Sequence, residues 1–289
     1  MATANMKDVK RRIKSVESTM QITKAMQLVA SSKMRKAKQH AEAAQPFFKV
    51  MYETMCDISQ DKAFRSAFTG KSEHKSTLLV VIAGDRGLAG GFNANVLKMA
   101  QNRADSLTES GSAVKIMAVG KKTVEFFEKR DYELAEKYAG IAESIDAYTV
   151  QDIGNGIVQS YKSGEYDKVE LVYTTLVSAL TQEPVDLQIL PVEHLNSTKD
   201  EAVKPLTIYD PTPEAVFDGM IPQYISGLLY AAIVDSYAAE QAARRTAMES
   251  ASDNAGEMIN QLSLLYNRAR QAVITQELTE ISSASLRDE

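Results

Sequence analysis

The sequence predicts two long helices forming a coiled coil, with a small α/β domain between them. Three observations carry this: a heptad seam at the N-terminus, a middle in which short apolar runs alternate with helical stretches, and a proline-free C-terminal quarter. The expected organisation is an N-terminal coiled-coil helix over 1–58, a central α/β domain over 77–205 and a C-terminal coiled-coil helix over 213–289.

From Met6, the residues Met6, Val9, Ile13, Val16, Met20, Thr23, Gln27, Ala30, Met34, Ala37, Ala41, Ala44, Phe48, Met51, Met55 and Ile58 recur at alternating steps of three and four. All but Thr23 and Gln27 are apolar, which is the narrow seam of a coiled coil and not the broader stripe of a helix lying on a globular core. Near the two exceptions, Ile22, Met26 and Val29 place apolar side chains off the seam. They point either to a second contact or to local repacking.

Beyond the polar stretch Gly70 to Ser76 the periodicity changes. Thr77 to Ala83 is a short apolar run suited to a buried parallel strand, followed by a helix over Asn93 to Leu107. Val114 to Val119 reads as a second strand, Thr123 to Lys129 and Val150 to Lys162 as helices, and Val169 to Thr175 and Val185 to Leu190 as further strands. This alternation predicts a Rossmann-like α/β domain with a mixed or largely parallel sheet. Pro191 to Pro213, with four of the seven prolines, returns the chain to helix.

Pro222 to Glu289 contains no further proline, so it can form one helix on the order of 100 Å long at ~1.5 Å per residue. Such a helix needs a partner along its length, and the N-terminal seam supplies one.

At 289 residues the chain has room for two domains, and its apolar content is enough for a core. The single cysteine, Cys56, excludes an internal disulfide framework, and His40, His74 and His194 show no metal-ligand spacing. No apolar run approaches ~20 residues, and the start lacks the apolar stretch of a secretory signal, so a reduced, cytosolic setting is expected. The net charge is −5, yet residues 1–40 hold ten Lys or Arg against Asp8 and Glu17, which is +8 there and −13 elsewhere. A basic helical arm fits nucleic acid, an anionic membrane or an acidic protein surface, and without aromatic stacking residues nucleic acid is disfavoured.

Gly84-Asp85-Arg86-Gly87-Leu88-Ala89-Gly90-Gly91 follows a strand and precedes a helix, the place where a Gly-rich loop cradles phosphate, but its spacing is not that of the dinucleotide fingerprint. Gly120-Lys121-Lys122-Thr123 fails as a P-loop, because Lys115 stands where Gly is required and Lys122 where Ser or Thr is. No Ser/His/Asp set or carboxylate pair stands out. Neither a catalytic residue nor a cofactor or metal site is assigned. A nucleotide-binding α/β protein and a self-associating or nucleic-acid-gripping coiled-coil scaffold stand as alternatives.

Four motifs together carry a resemblance. They are Ile22-Thr23-Lys24-Ala25-Met26; Val29 to Ala37; Asp85-Arg86-Gly87-Leu88 with Gly90-Gly91; and Ala269-Arg270-Gln271-Ala272 with Ile274 to Ile281. With them the chain resembles the gamma subunit of bacterial F-type ATP synthases over essentially its whole length. That resemblance implies a non-catalytic rotor shaft, an antiparallel coiled coil inside a hexamer of alternating alpha and beta subunits. The α/β domain would stand at the foot, beside the epsilon subunit and on the membrane c-ring, with one copy per complex at the cytoplasmic face of the cell membrane. By the same resemblance Lys33, Arg35 and Lys36 would face acidic loops of beta, and Met26 and Arg244 match positions implicated in coupling. Arg268, Arg270, Gln271, Thr275, Gln276 and Glu277 match contacts with a loop of beta higher in the cavity. Ala89 stands where many relatives carry Cys and no dithiol insertion is present, so thiol control is not expected. The tail from Ser282 to Glu289 is more polar than is usual in the family.

Pairing the helices from Asp57 and Pro213 at equal rise sets Met26 opposite Arg244 and leaves about 20 residues from roughly Arg270 onward without an N-terminal partner.

Overall fold

The computed structural model describes residues 2–60, 64–70, 75–141, 146–193 and 207–285. Parts of the expected Gly70 to Ser76 stretch (71–74), of the proline-rich return (194–206) and of the polar tail (286–289) lie outside the described residues. In chain order the elements are α1 (Ala2–Ser59), β1 (Ser76–Ile82), α2 (Phe92–Glu109), β2 (Ala113–Val119), α3 (Lys121–Glu128), β3 (Leu134–Tyr138), α4 (Ala147–Lys162), β4 (Lys168–Leu176), β5 (Gln182–Leu190) and α5 (Pro213–Ser285). The chain divides into two units, Met1–Ala30 with Arg244–Glu289, and Ser31–Ala243; α1 and α5 contribute to both.

In the Ser31–Ala243 unit the sheet runs β3-β2-β1-β4-β5, with β5 alone antiparallel to its neighbour. The apolar run of β1 is divided by the period of two between opposite faces. Leu78, Val80 and Ile82 join one core cluster with Ile153 and Ile157 of α4 and Ile221 and Ile225 of α5; Leu79 and Val81 join another with Val96 and Ala100 of α2 and Phe127 of α3. A strand covered on both faces has no polar side to show, which is why its sequence reads as an unbroken apolar run.

The predicted strands and helices of this domain are present, with boundaries within three residues of those expected. β3 is additional. Leu134-Ala135-Glu136-Lys137-Tyr138 is a short edge strand with two charged residues, too polar to register as a buried run. α5 begins at Pro213, where the C-terminal helix was expected, with Pro222 inside it, and Pro46 lies inside α1. A helical proline removes one backbone donor. Around Pro222 that loss is outweighed by Phe217, Ile221 and Ile225, each 0% exposed.

The helices of this unit pair antiparallel with a readable register. Ala37 clusters with Ala238, and a Cβ on Gly227 would lie 1.7 Å from the Phe48 ring. Both pairs have residue numbers summing to 275.

In the other unit, Thr23 Oγ1 lies 2.6 Å from Ser252 Oγ, a pair with the same sum. Met6, Val9, Ile13, Val16 and Met20 are partly shielded while Lys7, Asp8, Arg11 and Arg12 between them are exposed, so the heptad seam is the face turned inward. Across from it Met248, Ser252 and Ala255 are buried, and the seam continues through the half-buried Ile259, Leu262, Tyr266, Ala269 and Val273.

The expected pairing of Met26 with Arg244 sums to 270, so the register is displaced by five positions, about 7 Å or somewhat more than one turn. Equal starting levels at Asp57 and Pro213 caused the error: a sum of 275 places Ser59, the last residue of α1, level with Val216, inside α5. At the same sum Ala2 is level with Val273, so α5 runs past the described start of α1 from Ile274, where roughly Arg270 was expected.

Candidate partner-binding surfaces

Helical spacing determines which motif residues face outward. In the Ser31–Ala243 unit the seam runs through Met34 and Ala37, which turns Arg35 and Lys36 to solvent and leaves Lys33 half-buried beside it. In the other unit Met26 and Arg244 are both half-buried, on opposite helices and five positions out of register. Ile22 and Val29 are 58% and 55% exposed, and Leu28 is 72% exposed. The off-seam apolar residues therefore form an outward face, which excludes the local-repacking reading for Ile22 and Val29. Leu28 escaped the sequence reading because it stands at no heptad position that calls attention to it.

Towards the end of α5, Arg268, Arg270, Gln271, Thr275, Gln276 and Glu277 are all exposed, as is every residue from Ile274 to Thr279. Ile274 and Leu278 are 45% and 62% exposed. The Thr275 hydroxyl donates to the Gln271 carbonyl at 2.9 Å, and that of Thr279 to the Thr275 carbonyl at 2.8 Å, so both are turned along the helix.

The Gly-rich loop is committed to internal contacts. The Gly84 amide donates to Asn93 Oδ1 at 2.9 Å, and Asn93 Nδ2 returns to the Arg86 carbonyl at 3.0 Å. Asp85 Oδ1 accepts from the amides of Lys121 and Gly140, both at 2.9 Å, and the Lys122 amide donates to the Gly84 carbonyl at 3.1 Å. A phosphate at the start of α3 would meet the Asp85 carboxylate where it needs donors. Ala89 and Phe92 are buried against Ala239 of α5, and a Cβ on Gly84 would lie 2.9 Å from the Glu240 carboxylate. Gly120 has a φ of +96°, and a Cβ there would lie 2.0 Å from the Ala83 carbonyl oxygen. These glycines serve close backbone approach within the domain.

One buried ionic cluster lies in the sheet. Glu170, 2% exposed, accepts two 2.6 Å hydrogen bonds from Arg103 and is 2.6 Å from Lys168 Nζ. Burial acts to raise its pKa, but the hydrogen bonds from Arg103 and Lys168 and their charges offset it and hold the carboxylate below its ordinary range. Burial also pushes the Tyr224 phenol up to about 12, with Tyr52 and Cys56 contributing. Among the described residues no group of three or more His, Cys, Asp or Glu is arranged to hold a metal ion, and no helix is long and apolar enough to cross a membrane.

A pair of long helices joined to a small mixed sheet, with exposed motif residues towards the end of α5, is the architecture of a stalk-type subunit. A family profile described as ATP synthase matches residues 5–285. The ATP synthase gamma chain of Ruminococcus albus is 66% identical over 285 residues, covering 99% of each chain. The gamma chain of Acetobacterium woodii, described as sodium ion specific, is 41% identical with 96% of each chain covered. Among solved structures, the central stalk and c-ring of the Tetrahymena thermophila mitochondrial ATP synthase matches with a TM-score of 0.60 and 27% identity, over 80% of this chain and 99% of that one. A chain of the Euglena gracilis mitochondrial ATP synthase shares the fold, with a TM-score of 0.68 over 98% of this chain at 17% identity. The chain belongs to the ATP synthase gamma chain family.

Proposed function

We propose that this chain is the central rotor shaft of an ATP synthase, present once per complex, transmitting torque between an ion-driven membrane c-ring and the catalytic sites of an alpha/beta hexamer. The observation that carries this reading is the end of α5, where six polar motif residues stand exposed and the last turns extend past the start of α1. An exposed helix carrying Ile274 and Leu278 needs shelter from other subunits. The surrounding hexamer supplies it.

The chain's contribution is differential contact, with no active site of its own. A ligand that contacts every state of a catalytic site equally shifts none of them, whereas an asymmetric rod touches each of three surrounding sites differently. Arg268, Arg270, Gln271, Thr275, Gln276 and Glu277 engage one loop of beta, while Lys33, Arg35 and Lys36 oppose acidic loops of beta. Met26 and Arg244 belong to the coupling region between these levels. The α/β domain meets the epsilon subunit and the c-ring, which puts the protein peripherally at the cytoplasmic face of the bacterial cell membrane.

The test is a hexamer assembled with Arg268→Ala, Arg270→Ala and Gln271→Ala together. ATP hydrolysis should fall several-fold while the melting temperature of the free chain stays within about 2 °C, since exposed substitutions are usually worth within ±0.5 kcal/mol. Unchanged hydrolysis would remove the partner role from this segment.

A further inference from the structure

α5 is held to the α/β domain by more than apolar burial. Packing of Phe217, Ile221, Ile225, Leu229 and Ile233 into the core is non-directional, so it resists separation better than it resists rolling of the helix about its own axis. Hydrogen bonds and one close steric approach are set at separate heights along the same helix. Ser66 Oγ donates to Asp218 Oδ1 at 2.5 Å. Gly154 of α4 lies so close to Ser226 that a Cβ there would stand 2.2 Å from its hydroxyl oxygen. Further along the helix, Asp235 meets the end of β4 with both oxygens: Oδ2 accepts from the Thr175 hydroxyl at 2.7 Å, and Oδ1 from the Leu176 amide at 3.2 Å.

We propose that Asp235 is a positioning residue for torque, the key through which turning of the α/β domain is passed to α5; the proposal rests on the rotor reading above. The two donors sit on consecutive residues at the end of β4, where they pair with Glu183 and Gln182 of β5, while the same strand is anchored to β1 over residues 168–172. That strand cannot follow a rolling helix. A shift of one residue turns the helix by about 100°, which carries the carboxylate away from both donors. The contact is a charged acceptor with two donors, the stronger and more directional kind of hydrogen bond. Without it α5 keeps its apolar seat but slips under load, so the loss appears in coupling before it appears in folding.

The experiment uses the whole complex in sealed vesicles, comparing ATP hydrolysis without a gradient and ions pumped per ATP as the gradient builds. Asp235→Ala should leave gradient-free hydrolysis within about twofold of the parent and lower the pumped-to-hydrolysed ratio at least about threefold, given that hydrogen bonds to charged groups shift equilibria by about tenfold or more. Asp235→Asn keeps an acceptor for the Leu176 amide and should restore much of the ratio; Thr175→Val should produce a smaller loss than Asp235→Ala. An unchanged ratio in Asp235→Ala, or an Asn variant no better than the Ala variant, overturns the proposal. If Asp235→Ala does not assemble, Thr175→Val decides, a lowered ratio supporting the key and an unchanged ratio overturning it. The rotor reading fails separately, in a control: hydrolysis coupled to pumping in complexes assembled without this chain would overturn it and the proposal with it.

Discussion

The hydroxyl of Thr23 lies 2.6 Å from that of Ser252, buried in a seam that is mostly apolar. Each hydroxyl also has an acceptor on its own helix, the Met20 carbonyl at 3.0 Å and the Met248 carbonyl at 2.9 Å. The pair therefore carries no unsatisfied donor when opposed, and it links two positions that an apolar seam alone would match only loosely. A single polar layer of this kind is a known means of fixing coiled-coil register.

Ser252→Ala is expected to destabilise the chain by about 1 kcal/mol, and Thr23→Val by a similar amount. The double variant should cost clearly less than the two together, since residues in contact are energetically coupled. Denaturant unfolding measures all three. Strict additivity would show that the hydroxyls act independently and that the register is set elsewhere.

Phe48 and Gly227 offer a steric test of the same register in the other unit. A Cβ on Gly227 would lie 1.7 Å from the Phe48 ring, so Gly227→Ala should cost about 1–3 kcal/mol as the ring is displaced. Adding Phe48→Leu should remove a large part of that cost. A Gly227→Ala chain as stable as the parent would place the two helices differently.

Glu170 gives a pH dependence with a definite sign. Its pKa is lowered in the folded chain, so its stabilisation is present above the ordinary glutamate value of 4.5 and is lost as pH falls through the lower folded value. Glu170→Gln leaves the cations of Arg103 and Lys168 without their buried partner and should cost about 3 kcal/mol at pH 7. That difference should shrink below pH 4.5. A difference that persists unchanged in acid would mean the loss is one of packing.

The architecture was legible because its signals are long. The seam residues from Met6 to Ile58 for which burial is described are all buried or half-buried, and β1 is the apolar run expected of a strand covered on both faces. Short or polar elements were not legible. β3 pairs only along β2 and carries Glu136 and Lys137, so its sequence shows little of its membership in the sheet. The start of α5 at Pro213 was expected; what the sequence did not show is why Pro222 is tolerated inside it, since the burial of Ile221 and Ile225 is set by the sheet beneath. For the surfaces, the motifs near Lys33 and Arg270 were singled out by residue identity, and the structure adds only their exposure. The partner of Thr23 and the clamp at Asp235 required knowledge of which distant residues meet.

Charge on the basic arm should matter for coupling and little for folding, because Arg35 and Lys36 are exposed and Lys33 only half-buried, and exposed charge pairs are typically worth ~0 to 1 kcal/mol. Lys33→Glu, Arg35→Glu and Lys36→Glu together are expected to leave assembly intact and lower the ions pumped per ATP. Full coupling in the reversed variant would count against acidic partners for this face.

Rotation itself tests the central claim most directly. Cys56 is buried, so a cysteine introduced by Tyr148→Cys, at a position 78% exposed, gives a single accessible attachment point for an optical probe. With the hexamer fixed to a surface and ATP supplied, the probe should turn in one direction in steps of one third of a revolution, as three surrounding catalytic sites require. ATP hydrolysis at an undiminished rate with a stationary probe would contradict the account.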